Sequence, residues 1–598
     1  MEELDEYLQK DLKNTMKSSV IIKRIMKYIV PYLGLFILGL LLYVVMAALN
    51  VLQPYIVGII VNLLGNKNTV YTDIVIYASL YAACIISIAV LMYFNGLIIQ
   101  KVAQRIIYDL RNDVFKHIER LSIGQIHEIP VGKWVTRVTN DINSLMNFFS
   151  TVLTRIFYNI MTLIAIFVIV YLLEWHLAVV ITAFLPIVGV MSFLFAYYSR
   201  KYFRMVRSNI SQMNAFLSEN LSGMNTIQIF NQEKRKAKEF ARINDNLKKA
   251  QYRATDMFAI FRPMIFFTYA MSLVAIFSVG LYLIKDGITD IGTLYSFYLY
   301  TGQFFGPVQE IADQFNNIQQ ALAAAERVLL VLDKKSTIYD KNNAKDYPKF
   351  KGKIEFKHVW FAYKDEDWIL KDVSFVINPG DTVAFVGETG AGKSTIIGLI
   401  VRNYNIQKGQ ILIDDIDIND IKLDSLRKNI GEMLQDVFLF SGSIKTNISL
   451  GNEEITDQQI IDACKFVGAD DFIEKLPKKY EDEVNENGNN FSQGQRQLIS
   501  FARVVTYSPS IIVLDEATAN IDTETEVIIQ NSLEKIKSIG TMVMIAHRLS
   551  TIRHATMIFV VDNGKIIEEG NHQQLLKKRG AYYKLYKIQT MEKKLIGE

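Results

Sequence analysis

The chain has 598 residues, which is too many for one compact core, since single cores rarely grow beyond about 250–300 residues. Hydrophobic residues make up 50% of it, and 65 basic residues nearly balance 61 acidic ones, so the net charge is only +4. The basic residues form no concentrated block, which argues against a nucleic-acid-binding protein. Cys84 and Cys464 are far apart and lie outside any CxxC or Cys/His cluster, which excludes a zinc site or a disulfide framework.

The first residues are acidic and polar, unlike a secretory signal peptide or an Arg-rich transit sequence, so we expect the first apolar segment to be retained. Six apolar segments follow, each about as long as a membrane-spanning helix needs to be. They cover residues 31–65, 74–100, 152–173, 177–198, 264–284 and 291–309. Amphipathic stretches at 102–122 and 213–240 predict helices that project from the membrane into water.

Basic residues are distributed unevenly between the loops. The three short loops carry only Lys67 and Lys285, whereas the two long loops are rich in lysine and arginine, as at 234–236. By the positive-inside rule, both termini and the long loops are cytoplasmic, and the chain is a multi-pass protein of the cell membrane.

A polar, Lys-rich stretch at 333–352 reads as a linker. After it, short β-branched runs at 382–387, 511–516 and 541–547 alternate with helical stretches. Such runs are typical of strands that are buried on both faces of a parallel sheet. The sequence therefore predicts a soluble α/β domain behind the linker.

The strongest chemical signal is the run from Gly387 to Ser394, a complete GxxxxGK[ST] motif between an apolar strand and a helix. Its glycines let backbone N–H groups surround the phosphates of ATP, and the helix N-terminus adds positive potential. Lys393 is predicted to reach the β- and γ-phosphates, and the Ser394 hydroxyl to bind Mg²⁺. A chance glycine-rich turn is the alternative. The predicted ATP-binding residues of this loop are Gly387, Thr389, Gly390, Ala391, Gly392, Lys393, Ser394 and Thr395.

A second signal, a pair of acidic residues, follows the apolar strand IIVLD. Asp515 ends that strand and is predicted to hold Mg²⁺ through water, while the adjacent Glu516 can polarise the attacking water. Two acidic residues after a strand are also typical of a helix N-terminus, which is the alternative. The phosphate-binding motif favours the catalytic interpretation.

In this context the chain resembles the ATP-binding-cassette (ABC) exporters, whose membrane and nucleotide-binding domains are fused. The motifs occur in the family's order and cover the chain to about residue 590. Tyr363 matches the aromatic residue that stacks on adenine, with a buried core tyrosine as the alternative. Gln435 matches the Mg²⁺-sensing glutamine, and His547 the switch histidine at the γ-phosphate, although a lone histidine after a strand is usually structural. The other matching residues are Ser492, Gln493, Gly494 and Gln495 of the signature segment and Asp522 of the loop after Glu516.

The resemblance implies an all-α six-helix transmembrane domain followed by an α/β P-loop ATPase domain. The predicted boundaries are an N-terminal segment at 1–25, a transmembrane domain at 26–332, a linker at 333–352 and a nucleotide-binding domain at 353–590. Two cassettes would close face to face around Mg²⁺-ATP, Glu516 would act as the base, and closure would drive alternating access. Bends near 123–128 and 216–222 would carry the motion, and residues 485–489, with Glu486, occupy the place of the family's cross-linking loop.

The signature segment departs from the family's usual LSGGQ, because Gln493 replaces a glycine. A side chain there is expected to crowd the nucleotide, which favours a heterodimer with a second half-transporter over a homodimer. The expected cargo is a hydrophobic or amphipathic compound, and a lipid is the alternative. Glu310, near the end of the sixth segment, is a candidate for cargo or cation binding, or is simply in water. A membrane regulator that senses ATP is an alternative from another class, which the intact Glu516 disfavours.

Overall fold

The computed structural model describes residues 16–66, 70–364, 366–434, 436–515, 523–546 and 552–596. The chain divides into two units. The first, here the membrane unit, comprises the residues up to Glu119 and Val131–Lys334. The second, here the ATPase unit, comprises Arg120–Pro130 and the residues from Lys335 onwards. The short segment Arg120–Pro130, here called the connector, is thus an insertion from the helical half that packs with the ATPase unit.

The described residues of the membrane unit form helices that are joined by short turns, as their long apolar runs predict. Its α-helices are Ser18–Met26, Leu33–Gly65, Tyr71–Glu119, Val131–Thr136, Ile142–Asn147, Leu153–Leu173, Trp175–Ser222, Met224–Ile229, Glu233–Lys285 and Ile291–Asp333. A 3₁₀ turn at Lys27–Tyr32 and π-helical turns at Arg137–Asp141 and Phe148–Val152 join some of them. Local signals set the ends. For example, the Asp290 carboxylate accepts a hydrogen bond from the Thr293 N–H and begins the last helix.

Five helical stretches among the described residues are long and apolar enough to cross a membrane: Ser18–Gly65, Tyr71–Glu119, Val131–Leu173, Trp175–Ser222 and Glu233–Lys285. They contain the first five predicted segments. The sixth segment lies in Ile291–Asp333, which does not meet the same criterion of apolarity. Tyrosine, glycine, threonine and glutamine interrupt its aliphatic residues, and this lowers its mean hydropathy. Its ring-bearing residues Phe297 and Tyr300 are nevertheless fully buried in the unit's core.

The two predicted bends have different outcomes. A short helix, Ile123–His127, lies where the first bend is expected. The second bend, expected near 216–222, lies just after those residues, which complete the helix Trp175–Ser222. The chain turns around Gly223, forms the short helix Met224–Ile229, and turns again at Asn231, whose φ is +52°.

The ATPase unit contains two larger sheets and a short strand pair. Its described strands are β1 (Ile354–Ala362), β2 (Trp368–Ile377), β3 (Thr382–Val386), β4 (Lys408–Ile413), β5 (Ile416–Asp417), β6 (Ile430–Met433), β7 (Gly442–Ser443), β8 (Glu483–Val484), β9 (Ile511–Asp515), β10 (Thr541–Ile545), β11 (Met557–Asp562) and β12 (Lys565–Gly570). One sheet has six strands in the order β12-β11-β3-β10-β9-β6, and the other is antiparallel with four strands in the order β2-β1-β4-β5. Strands β7 and β8 form the separate pair. Among the described strands of the larger sheet, only β12 is antiparallel to its neighbour.

The ATPase unit also contains α-helices after Lys335. They are Lys393–Ile400, Leu423–Lys428, Ile444–Ser449, Asp457–Val467, Asp470–Ile473, Gln493–Tyr507, Thr523–Ile536, His572–Lys578 and Ala581–Ile596. Alternate residues of the central strands enter two different cores, as in β3, where Phe385 joins one core and Ala384 the other. Burial on both faces explains the unbroken apolar runs that the sequence shows. The predicted fold class, a helical transmembrane region followed by an α/β ATPase domain, is confirmed.

Candidate functional site

The loop between β3 and the helix Lys393–Ile400 requires glycine at three positions. Gly387, Gly390 and Gly392 have φ values of +154°, +85° and +104°. A Cβ atom on Gly387 would lie 2.1 Å from the carbonyl oxygen of Val561, and one on Gly392 would lie 2.8 Å from Leu370 Cδ2. Glycine is the residue that adopts such angles at such close approach, so the loop can curl its backbone around a ligand.

Lys393 is the first residue of the helix that follows, and its side chain folds back into the loop. Its Nζ donates to the carbonyl oxygens of Gly387, at 2.8 Å, and Glu388, at 2.7 Å. Burial lowers the pKa of Lys393, an effect that the charge of Asp515 opposes. The loop therefore holds a buried cation at the N-terminus of a helix, where phosphate groups bind best.

The neighbouring loop residues occupy distinct positions. Thr389 and Ser394 are exposed, whereas Ala391 and Thr395 are buried. The Ala391 N–H donates to the Glu388 carbonyl oxygen at 3.2 Å and closes a tight turn. The exposed Ser394 hydroxyl, one residue into the helix, is available as an oxygen ligand.

Tyr363 directly follows β1, and its side chain is 52% exposed. The alternative that it is a buried core tyrosine is therefore wrong. Its hydroxyl lies 3.0 Å from Thr395 Oγ1, with either oxygen as the donor. The rings of Phe361 and Tyr404 contact it edge-on, with centroids 4.9 and 5.1 Å away. These contacts hold an aromatic platform beside the phosphate-binding loop.

Asp515 is the last residue of β9, at the edge of the sheet from which the phosphate-binding loop also leaves β3. It is level with Ile545 of β10, which is in turn level with Phe385 of β3, two residues before Gly387. Carboxylate and hydroxyl oxygens are ligands that Mg²⁺ prefers, and both the Asp515 and Ser394 side chains supply them. The described residues thus fit a nucleoside triphosphate and its magnesium ion. Gln435, Glu516, Asp522 and His547 lie outside the described residues, and their roles stay predictions.

Comparisons with known proteins agree with this arrangement. Residues 36–308 match the family described as the ABC transporter transmembrane region, and residues 370–519 match the one described as ABC transporter. The chain is 38% identical over 531 residues to the probable multidrug resistance ABC transporter ATP-binding/permease protein YheH of Bacillus subtilis (strain 168), covering 88% of this chain and 78% of that protein. The chain belongs to the ABC exporters.

Two further similarities concern cargo and fold. The exporter is 35% identical over 506 residues to an ATP-dependent lipid A-core flippase of Syntrophus aciditrophicus (strain SB), covering 85% and 84% of the two chains. It also resembles a solved structure titled as a bacterial Atm1-family ABC exporter with ATP bound. That likeness has a TM-score of 0.79 and 26% identity, and it covers 93% of this chain and 98% of that one. The exporter thus couples ATP hydrolysis to transport.

The exporter's signature segment begins the helix Gln493–Tyr507. Ser492 and Gln495 form a capping box: the Gln495 N–H donates to Ser492 Oγ at 3.2 Å, and the Ser492 N–H donates to Gln495 Oε1 at 2.9 Å. Both residues therefore have a structural role within the chain. Gly494 is buried in the first turn.

Gln493 is the first residue of that helix, where the backbone is helical and a side chain fits without strain. It lines a cavity of about 250 Å³ in its own unit. The other lining residues are Asp436, Val437, Phe438, Asn487, Asn489, Arg496 and Gln497. The glutamine thus has space within its own chain.

The exporter's membrane unit holds Glu310 in an ion pair that the sequence did not reveal. Arg155 Nη1 donates to Glu310 Oε1 at 2.8 Å, and Asn159 Nδ2 donates to Glu310 Oε2 at 3.1 Å. Both carboxylate oxygens are therefore engaged from the helix Leu153–Leu173. Arg155 is separated from Glu310 by 155 positions, so no local motif joins them.

Proposed function

We propose that this exporter moves hydrophobic or amphipathic compounds out across the cell membrane by alternating access, as one half of a dimer. The observation that carries the proposal is the union of a helical membrane unit with a complete phosphate-binding loop in one chain. The name of the Bacillus subtilis relative, a probable multidrug resistance transporter, supports this class of cargo. The basic residues of the long loops support a cytoplasmic position for the ATPase unit and both termini.

Within the ATPase unit, the proposed reaction is in-line attack of water on the γ-phosphate of ATP. Tyr363 would stack on adenine, the glycine-rich loop and Lys393 would bind the phosphates, and Glu516 would orient and deprotonate the water. Ser394, Asp515 and Gln435 would hold Mg²⁺, and the ion would neutralise the negative charge of the phosphates. His547 would contact the γ-phosphate, and Asp522 would lie at the nucleotide. Substitution of Glu516 by Gln tests the assignment: we expect ATP binding to persist and turnover to stop.

The same substitution separates transport from sensing. An ATP-sensing regulator has no need of a hydrolytic base, so it would respond to ATP equally well with Glu516→Gln. In an exporter, that variant would also stop the accumulation of a fluorescent amphiphile in inverted membrane vesicles. Vesicles that continue to accumulate the compound would contradict the role of Glu516.

The partner in the dimer is proposed to be a different half-transporter. Gln493 departs from the usual signature, and in a heterodimer the departure affects only one of the two ATP sites. One observation favours a homodimer as the second candidate: the cavity around Gln493 gives its side chain space within its own unit. The intact mass of the complex purified from its native membrane distinguishes the heterodimer from the homodimer. One 68.5 kDa chain with a different subunit supports the heterodimer, and two identical chains overturn it.

Lipid transport is the second candidate for the cargo, favoured by the similarity to a lipid A-core flippase. The two candidate cargo classes can be distinguished by measuring ATP hydrolysis of the complex in nanodiscs. A multidrug exporter is stimulated by added amphipathic drugs at constant lipid composition. A lipid flippase responds instead when the headgroup composition of the nanodisc is changed.

A further inference from the structure

The side chain of Tyr404 lies between two glycines that come from different parts of the ATPase unit. A Cβ atom on Gly124 of the connector would lie 2.6 Å from Tyr404 Cε1 and 3.1 Å from Cδ1. A Cβ atom on Gly398, in the helix Lys393–Ile400, would lie 3.6 Å from Cδ2 and Cε2. One edge of the ring therefore faces the connector, and the opposite edge faces the helix that begins with Lys393.

The Tyr404 ring also contacts Tyr363, the aromatic platform beside the phosphate-binding loop. The rings of Tyr404 and Tyr363 are 5.1 Å apart and nearly perpendicular, at 83°, which is a favourable edge-to-face arrangement. Phe361 supports both rings, with its centroid 5.6 Å from that of Tyr404. Because Thr395 contacts the Tyr363 hydroxyl, Tyr363 is held from two sides. Tyr363 and Tyr404 are therefore in direct contact.

The connector, which Tyr404 contacts at Gly124, is held by several hydrogen bonds. Ser122 and Gln125 form a capping box on the helix Ile123–His127. Gln125 Nε2 donates to the Lys335 carbonyl oxygen at 2.9 Å, and Ser122 Oγ lies 2.8 Å from Thr337 Oγ1. In the sequence, the connector is continuous with the helix Tyr71–Glu119 before it and the helix Val131–Thr136 after it.

We propose that Tyr404 is a positioning residue that links the occupancy of the adenine platform on Tyr363 to the conformation of the connector. The inference depends on the proposed function in one respect, the stacking of adenine on Tyr363. A stacked base restricts the Tyr363 ring, the edge-to-face contact then restricts Tyr404, and the ring restricts the backbone at Gly124. Nucleotide identity would thus reach the connector separately from the phosphates.

Hydrogen exchange of the complete transporter tests this link without any knowledge of the cargo. The amides of residues 120–130 are followed by mass spectrometry with Mg²⁺ alone, with a non-hydrolysable ATP analogue, and with inorganic tripolyphosphate, which lacks a base. We expect the analogue to slow exchange about two- to tenfold, the range that corresponds to one aromatic pair, and tripolyphosphate to have little effect. Tyr404→Ala should abolish the difference, and Tyr404→Phe, which keeps the ring, should retain it.

The substitution Gly124→Ala tests the same contact by changing the connector instead of Tyr404. Its methyl group would displace Tyr404, so the response to the analogue should weaken in Gly124→Ala, and Gly124→Ala/Tyr404→Ala should behave like Tyr404→Ala alone. An unchanged response in Tyr404→Ala, or a response in the double variant that differs from that of Tyr404→Ala, would overturn the link. If Tyr404→Ala does not assemble, Tyr404→Leu, which keeps a larger apolar side chain than alanine without the ring, takes its place.

A failure of the proposed function is distinguishable. If Tyr363→Ala binds the analogue as tightly as the parent chain, adenine does not stack on Tyr363 and the proposed site is wrong. If Tyr363→Ala weakens binding while Tyr404→Ala binds normally and still slows exchange in the connector, the site is right and the link through Tyr404 is wrong.

Discussion

The ammonium group of Lys393 donates a hydrogen bond to the carbonyl oxygen of Gly387 at 2.8 Å, across the loop that the phosphates are expected to enter. Binding of ATP would exchange this contact for one with a phosphate oxygen, which is a stronger, charge-assisted partner. We predict that Lys393→Met lowers ATP hydrolysis by about 10²–10³-fold, since it removes a preorganised charge from the transition state. Phosphate release by the purified complex measures the effect.

Lys428→Met is the matched control for that prediction. Lys428 is exposed at the end of the helix Leu423–Lys428, in the same unit. The control should hydrolyse ATP at the parental rate. If Lys393→Met retained a rate similar to that of the control, Lys393 would have no role at the phosphates.

Gly387 and Gly390 should differ in their tolerance of alanine. Both have positive φ, which costs an alanine about 1–2 kcal/mol. At Gly387 the methyl group would also collide with the backbone oxygen of Val561, whereas at Gly390 it meets nothing within 4 Å. We predict that Gly387→Ala lowers the melting temperature of the complex well below that of Gly390→Ala. Equal melting temperatures would show that the backbone near Val561 yields at little cost.

Local patterns account for what the sequence predicted correctly. The phosphate-binding loop and the apolar segments are contiguous runs whose spacing carries the signal. The second bend was expected slightly too early because it was taken from the family resemblance, whereas the helix of 48 residues ends where Gly223 and Asn231 permit the chain to turn. The exposure of Tyr363 also required the structure, since both a platform and a core tyrosine fit the sequence.

Pairs that are distant in sequence could not be predicted. Gly124 and Tyr404 meet only because the connector packs with the ATPase unit, and neither residue belongs to a recognisable motif. Arg155 and Glu310 form their ion pair across two helices, although Glu310 alone drew attention as an acid near a membrane segment. Contacts of this kind depend on the tertiary arrangement, which a single sequence does not specify locally.

Arg402 is predicted to hold the start of the ATPase unit in place. Its side chain is buried, and it donates to the carbonyl oxygens of Ile421 and Tyr339, both at 3.1 Å. Arg402→Met would leave two carbonyl groups without their donor, at a cost of about 1–3 kcal/mol. We expect a lower melting temperature and faster proteolysis near residue 339. Lys577→Met, at an exposed lysine, is the control, and equal proteolysis of the two variants would contradict the prediction.

Cys464 is predicted to be chemically inert in the folded chain. The thiol is fully buried, and burial raises its pKa to about 12. At pH 8 only about one thiol in 10⁴ would be ionised, and the thiolate is the reactive form. In a Cys84→Ser background, iodoacetamide should label Cys464 in denaturant and leave it unlabelled in native buffer. Rapid native labelling would mean that the core around Cys464 opens readily.

Glu432 gives the ATPase unit a pH dependence whose direction can be derived. It lies on β6 and is partly buried; burial raises its pKa, Arg427 opposes the shift, and the charge of Asp515 adds to it. A carboxyl group whose pKa is higher in the folded than in the unfolded state favours folding while it is protonated, and loses that contribution as the pH rises through its folded pKa. Glu432→Gln removes the buried charge, so we expect it to raise the melting temperature at pH 8 more than at pH 5. Glu453→Gln, at an exposed position, should show no such difference. A gain from Glu432→Gln that is the same at both pH values would mean that the substitution acts through packing and not through the charge, because only the ionised form of Glu432 is penalised by burial.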